Sequence, residues 1–185
     1  MTITVRDVGA TTASGVPEAR DTARGSGATI GIRVASTVYA LVVLLLTSAG
    51  VGAAARRGIL IPVAVPFAGA LIVTLRLLRP SAERGAWALF TVWLGSTYLS
   101  TGAGIETAAA LVYVALALGG VFVSPWLLVA AWALHPAWDL LPRTLPDLLH
   151  DLPMACLLFD GAIALYLARL AYQSSRARQA RQPLL

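Results

Sequence analysis

Long apolar segments with almost no charge are the feature that most constrains this chain. Of its 185 residues, 58% are hydrophobic and only 12% are charged. A soluble domain has roughly 45–50% apolar and about 25% charged residues. A globular core of this length cannot bury so much apolar surface, because too much of it stays outside. The composition therefore predicts an integral membrane protein with lipid as its solvent.

Six apolar segments predict six transmembrane helices, since one span needs about 20 apolar residues (~17–25). The predicted segments are 30–52, 59–78, 86–101, 104–119, 122–141 and 153–172. Gly119-Gly120 separates the fourth segment from the fifth, and Ser124-Pro125 is a favourable helix start. Short connections make neighbouring helices antiparallel. We predict an all-α fold, a single bundle of about six transmembrane helices.

The arginines predict the orientation of this bundle. All 14 basic residues are arginine, and with six spans eleven lie on the side of the two termini. Positive residues concentrate on the cytoplasmic side, so both termini are predicted to be cytoplasmic. Residues 1–27 are predicted to be a disordered tail, 28–173 the bundle, and 174–185 a basic tail. The predicted location is the cell membrane, as a multi-pass protein of a bacterial inner membrane.

The net charge of +5 does not indicate nucleic-acid binding. The arginines stand singly or in small groups between apolar runs, which is typical of membrane flanks, and no nucleic-acid-binding motif is present. A single cysteine, Cys156, excludes an intramolecular disulfide. The expected partners are the lipid bilayer and a hydrophobic small molecule, with no nucleic acid. We predict that the protein uses no cofactor and no metal.

Four ionisable residues inside the apolar segments mark a candidate site: Glu106, His135, Asp139 and Asp160. A charged side chain near the bilayer centre costs at least ~2.5–3.5 kcal/mol, so such groups usually face the bundle interior and have a role. Alternatively, some of them lie at the interface and only mark helix ends. The predicted topology puts all four in the outer half of the membrane. We therefore expect them to converge on one cavity.

The fifth segment carries the densest group of polar and aromatic residues. Steps of three and four residues place Trp132, His135 and Asp139 on one helix face, with Trp138 beside them. Asp139 is expected to accept a hydrogen bond from the His135 ring and fix its tautomer. Trp138 has the alternative role of an interfacial anchor.

The connection from Pro142 to Pro153 alternates leucines with Asp147, His150 and Asp151. This alternation predicts a short amphipathic segment on the outer surface. It is either a lid over the site or an ordinary interfacial loop.

Three short motifs carry a resemblance to known proteins; they are Glu106, His135-x-x-Trp138-Asp139 and Cys156-x-x-x-Asp160. This pattern resembles that of a family of small uncharacterised bacterial multi-pass membrane proteins, over about the last 80 residues. That family brings no established activity. The chain departs from it after Trp138-Asp139, where the family tends to have a second histidine and this chain has Leu140-Leu141-Pro142. A looser likeness, at fold level only, is to small membrane-embedded terpene cyclases.

The leading interpretation is an intramembrane enzyme that acts on an isoprenoid or lipid-like substrate. The specific activity that we predict is that of a terpene (meroterpenoid) cyclase or isomerase. Such a reaction needs a strong acid and then a base. Apolar surroundings disfavour the charged form of a carboxyl group, so Asp160 and Glu106 are the candidate acids. His135, oriented by Asp139, is the candidate base. The candidate substrate-binding residues are Trp93, Tyr98, Trp132, Trp138 and Cys156.

Two other interpretations stay open. A small proton-coupled transporter, or another non-enzymatic membrane protein, also uses buried acids and a histidine, although no line of polar groups crosses to the inner side. A metal-dependent hydrolase needs three zinc ligands and an open position. Its candidate ligands are His135, Asp139, His150, Asp151 and Asp160. A closed aromatic pocket would favour an enzyme, and a path through the membrane would favour transport.

Overall fold

The described part of the chain forms six α-helices in a computed structural model. It comprises residues 18–97, 99, 104–140 and 150–180, with side chains from residue 31 onward. The helices are α1 (Glu18–Arg56), α2 (Leu60–Arg76), α3 (Pro80–Ser96), α4 (Gly104–Phe122), α5 (Trp126–Asp139) and α6 (Leu152–Gln179). No strand occurs among those residues. The predicted all-α fold with six helices is confirmed.

Three helices in the described part are long and apolar enough to cross a membrane, by length and composition. They are Gly31–Arg56 within α1, all of α4 and all of α6. Helix α2 is apolar but has 17 residues, α3 also has 17, and α5 has 14. These shorter helices lie at or below the lower limit of about 17 residues for one span.

The predicted starts of two elements differ from the structure. Helix α1 begins at Glu18, so residues 18–27 of the predicted tail are helical, whereas residues 1–17 lie outside the described residues. Helix α3 begins at Pro80, six residues before the predicted start. Proline is favoured in the first helical turn because it has no N–H to leave unpaired there. Residues 80–85, between the second and third predicted segments, therefore belong to α3.

The predicted break at Gly119-Gly120 is wrong. Helix α4 continues through both glycines to Phe122, and the connection to α5 is Val123 to Pro125. Gly120 is buried, and a Cβ atom there would run into the Leu128 side chain. The glycine lets α4 and α5 approach closely beside their connection. The predicted start of α5 at Ser124-Pro125 is confirmed.

The chain divides into two units within α1. The first, residues 1–34, is helical from Glu18, and its described side chains at 31–34 are exposed. The second, residues 35–185, contains the other five helices.

Within the second unit, helix α6 packs against both α2 and α5. Helix α4 contacts α3 and α5. The most deeply buried large side chains are Leu75, Trp87, Phe90, Trp132 and Ile163. Because α5 and α6 are consecutive and antiparallel, the end of α5 lies beside the start of α6. This arrangement brings the polar residues of the two helices to one place.

Candidate functional site

A buried histidine–aspartate pair forms the centre of the candidate site. His135 Nδ1 lies 2.6 Å from Asp160 Oδ2, and the two residues are only 4% and 1% exposed. Asp160 lies eight residues beyond the start of α6, roughly 12 Å along its axis at 1.5 Å per residue. With its hydrogen on Nδ1, the ring donates to the carboxylate, and Nε2 is then the ring atom that can take up a proton.

Asp139 lies at the edge of this pair. Its Oδ2 is 3.6 Å from His135 Nδ1, and its side chain is 12% exposed. We expected Asp139 to accept a hydrogen bond from the His135 ring, but at Nδ1 the acceptor is Asp160. The reason is that a helical step of four residues places Asp139 near the ring, whereas α6 places a carboxylate directly against Nδ1. Asp160 is therefore the residue that orients the imidazole.

Cys156 completes a group with the chemistry of a metal site. His135, Asp139 and Cys156 each offer one ligand atom, and these atoms all lie within 4.8 Å of one another. Imidazole nitrogen, carboxylate oxygen and thiolate sulfur are the ligands that zinc takes in proteins. Carboxylates that hydrogen bond to a ligating histidine commonly orient it, and Asp160 is placed to do so. These three residues fit a metal ion that keeps one coordination position open.

The other two residues of the predicted zinc set lie elsewhere. His150 and Asp151 contact each other at 3.4 Å, and their side chains are 89% and 45% exposed. They do not join the group of His135, Asp139 and Cys156. The predicted lid is described only from His150 onward, and residues 142–149 lie outside the described residues.

Trp132 forms an aromatic wall one turn before His135 in α5. Its indole Nε1 donates a hydrogen bond to Thr91 Oγ1 at 3.1 Å. Its ring meets Trp87 edge-on, with centroids 5.8 Å apart, and Phe159 of α6 at 6.3 Å. Trp132 is fully buried, and it lies on the buried side of α5 together with His135. Trp87, Thr91 and Phe159 were not expected here.

Tyr113 of α4 packs on the site from another side. Its ring lies edge-on to the His135 ring, with centroids 6.0 Å apart. Its hydroxyl donates to the Ala131 carbonyl at 3.2 Å, which fixes the ring between α4 and α5. A Cβ atom at Gly95 would lie 2.5 Å from Tyr113 Cβ. The glycine therefore allows α3 to approach α4 at the level of this tyrosine.

The remaining predicted aromatic residues are spread over the bundle. Trp93 contacts Phe90, with ring centroids 6.3 Å apart. Trp138 is half-buried and packs against the core. Tyr98 lies outside the described residues. The sequence could not separate the tryptophan that faces the site from those that do not, because several helix faces carry one.

Glu106 is not part of the ligand group of His135, Asp139 and Cys156. It is half-buried on α4, and its Oε2 is buried without a hydrogen-bond partner among the described residues. It shares a helix face with Tyr113 seven residues away, roughly 10.5 Å along the axis. The structure therefore brings His135, Asp139, Cys156 and Asp160 together, and the convergence of Glu106 on this group stays a prediction.

A second buried acid, Glu83, was missed from the sequence. It is 4% exposed, accepts a hydrogen bond from the Tyr166 hydroxyl, and lies 3.7 Å from Arg76 Nη1. Its step of four residues to Trp87, on the buried face of α3, is the signal that could have found it. Buried polar groups therefore lie toward both ends of the bundle. Trp87 contacts both Tyr166 and Trp132, so aromatic rings occupy the space between the two groups.

Comparisons with known proteins give a family and no activity. Residues 57–173 match DUF6010, a family of unknown function. Searches of curated proteins and of solved structures found no match. The likeness to terpene cyclases has no support in these comparisons. The matched segment contains α2 to α5, most of α6 and all four clustered side chains, and it covers more than half of the chain. The chain belongs to DUF6010, a family of unknown function.

Proposed function

We propose that the chain is an integral membrane enzyme that performs acid–base chemistry on a hydrophobic, isoprenoid or lipid-like substrate. The observation that carries this proposal is the buried His135–Asp160 hydrogen bond of 2.6 Å. Burying such a pair costs desolvation, and hydrophobic residues of similar size would often stabilise a core as well. Buried ionisable groups with a specific partner are typical of functional sites. Asp139 and Cys156 are half-buried and connect the pair to the bundle surface.

The apolar exterior supports a location in the bilayer. In each of the three helices that are long enough to span a membrane, at most 33% of an apolar 18-residue stretch is buried within the chain. Leu45, Leu111 and Leu165, on three different helices, are 68%, 66% and 74% exposed. Soluble monomers rarely expose large contiguous apolar surface. The proposed arrangement is a multi-pass protein of a bacterial inner membrane, with both termini cytoplasmic.

Cyclisation or isomerisation of a polyprenoid is the reaction proposed for this pair. The reactive form of the pair carries a proton on the Asp160 oxygen that is not bonded to His135, and this oxygen donates it to an alkene carbon or an epoxide oxygen. The π electrons then close a ring or shift, and His135 Nε2 removes a proton from the neighbouring carbon. The imidazolium then loses its Nε2 proton to water, and the free oxygen of Asp160 takes up a proton from water, so that both groups return to their starting state. One proton enters and one leaves, so the reaction needs no oxidant, reductant or co-reactant.

Solvent deuterium tests this reaction. Purified protein in nanodiscs is supplied with polyprenyl alkenes and epoxides in D₂O, and products are followed by mass spectrometry. We expect a new isomer that carries one solvent deuterium. Asp160→Asn should slow its formation by at least ~10²-fold, as is typical when a general acid is lost. Arg79→Gln, at an exposed corner between α2 and α3, is the matched control and should retain activity. A fully active Asp160→Asn protein would contradict the proposal.

A metal-dependent hydrolase is the second candidate, because His135, Asp139 and Cys156 offer ligand atoms within 4.8 Å of one another. An ion held there would activate water for hydrolysis of a lipid-like ester. Elemental analysis of protein purified without chelators separates the two proposals. About one equivalent of zinc, lost in Cys156→Ala and retained in Arg79→Gln, would favour the hydrolase. Metal-free wild-type protein that still forms the deuterated isomer would favour the metal-independent reaction.

A further inference from the structure

A cavity of about 320 Å³ lies at the end of the bundle opposite the His135–Asp160 pair. Helix α2 ends beside it, α3 and α5 begin there, and α6 runs past it. Its polar lining consists of Arg76, Glu83, Arg84, Gln173 and Ser174, and leucines of α5 and α6 form an apolar wall. The volume falls at the lower end of the range for small-molecule sites, ~300–1,000 Å³. It suits a small polar group attached to a hydrocarbon.

The side chains of this cavity have an excess of positive charge. Two arginines line it, against one glutamate. Glu83 is already engaged, since it accepts from the Tyr166 hydroxyl and lies 3.7 Å from Arg76. Arg84 is half-buried and has no carboxylate within ion-pair distance among the described residues. The excess charge therefore comes from Arg84.

Trp87 adds a hydrogen-bond donor without an acceptor. It lines the cavity and is 1% exposed, and its indole Nε1 has no hydrogen-bond partner among the described residues. Leaving a buried N–H unpaired costs about 1–3 kcal/mol. The indole of Trp132, by comparison, donates to Thr91 Oγ1. An acceptor supplied by a ligand would remove the cost at Trp87.

We propose that this cavity binds a phosphate group, as a monoester or diphosphate, carried by a lipid or by a water-soluble molecule. The Arg84 guanidinium matches phosphate oxygens in bidentate geometry, and the Trp87 N–H donates to another oxygen. A phosphate presents more acceptor oxygens than a carboxylate, and so satisfies donors from separate side chains. The leucine wall accommodates an attached hydrocarbon. This binding site is independent of the chemistry at His135.

Ligand-dependent thermal unfolding in a neutral detergent tests the proposal, at high salt so that general surface attraction is screened. The probes are phosphatidic acid, inorganic pyrophosphate, and diacylglycerol with the same acyl chains. We expect phosphatidic acid or pyrophosphate to raise the unfolding temperature of the wild-type protein, and diacylglycerol to leave it unchanged. A response to phosphatidic acid alone identifies a lipid phosphate as the source, and a response to both probes shows that free phosphate suffices.

Two arginine variants distinguish the cavity from the basic surface. Arg84→Gln should raise the half-saturating phosphate concentration at least tenfold, while Arg79→Gln, outside the cavity lining, should leave it unchanged. Trp87→Phe should weaken binding a few-fold through loss of the N–H. Because Trp87 is a core residue, the Arg84 variant carries the test, and its unfolding temperature without ligand should equal that of the wild type. Equal weakening by both arginine variants, a response to diacylglycerol, or no response in the wild-type protein would overturn the proposal.

Discussion

Removing the carboxylate of Asp160 should destabilise the bundle strongly, and removing only its charge should not. Asp160→Ala leaves the His135 ring buried without the acceptor that now lies 2.6 Å away. Breaking a buried charged pair in this way costs about 3–5 kcal/mol. Asp160→Asn keeps an oxygen of the same shape as acceptor. The net loss is then the difference between a charged and a neutral hydrogen bond, about 1 kcal/mol.

Asp139→Asn provides the matched control for this pair. Its carboxylate lies 3.6 Å from the same ring nitrogen and is more exposed, so its loss should cost less than the loss of Asp160. The free energy of unfolding is measured by titrating a denaturing detergent into mixed micelles. We expect Asp160→Ala to destabilise the protein much more than Asp160→Asn does, and Asp139→Asn to have the smallest effect. Equal effects of Asp160→Ala and Asp139→Asn would show that the short hydrogen bond contributes nothing to folding.

Two further predictions concern topology and packing. Reporter fusions at Thr12 and Gln173 should both indicate the cytoplasmic side, because arginines concentrate on the side of both termini; a C-terminal reporter found outside would overturn the orientation and the count of spans together. Gly95→Ala should cost about 1–3 kcal/mol through overpacking, since its Cβ would lie 2.5 Å from Tyr113 Cβ. Gly85→Ala in the same helix meets no atom within 4 Å and should leave stability unchanged or raise it; thermal unfolding of the two variants measures the difference, and equal behaviour would contradict the close approach of α3 and α4.

The sequence determined the helical architecture and most of the polar residues that form the site. In lipid, apolar segments can satisfy the hydrogen-bonding groups of their backbone only as helices or closed barrels. The number and the lengths of the apolar segments favoured six helices. Steps of four residues paired His135 with Asp139, and Cys156 with Asp160, because helical neighbours at this spacing share a face. These inferences depend on local periodicity and composition, which a sequence carries directly.

Only the tertiary structure decided which residues of different helices meet. Asp160 lies 25 residues from His135 in the chain. The relative rotation of α5 and α6 places Asp160, and not Asp139, in direct contact with the His135 ring. Glu83 lies between the second and third predicted segments, and the structure extends α3 back to Pro80 and buries Glu83 against Tyr166. Periodicity gives the face of each helix but not the neighbour that the face meets, because the rotation and axial shift between helices depend on side-chain packing along their whole contact.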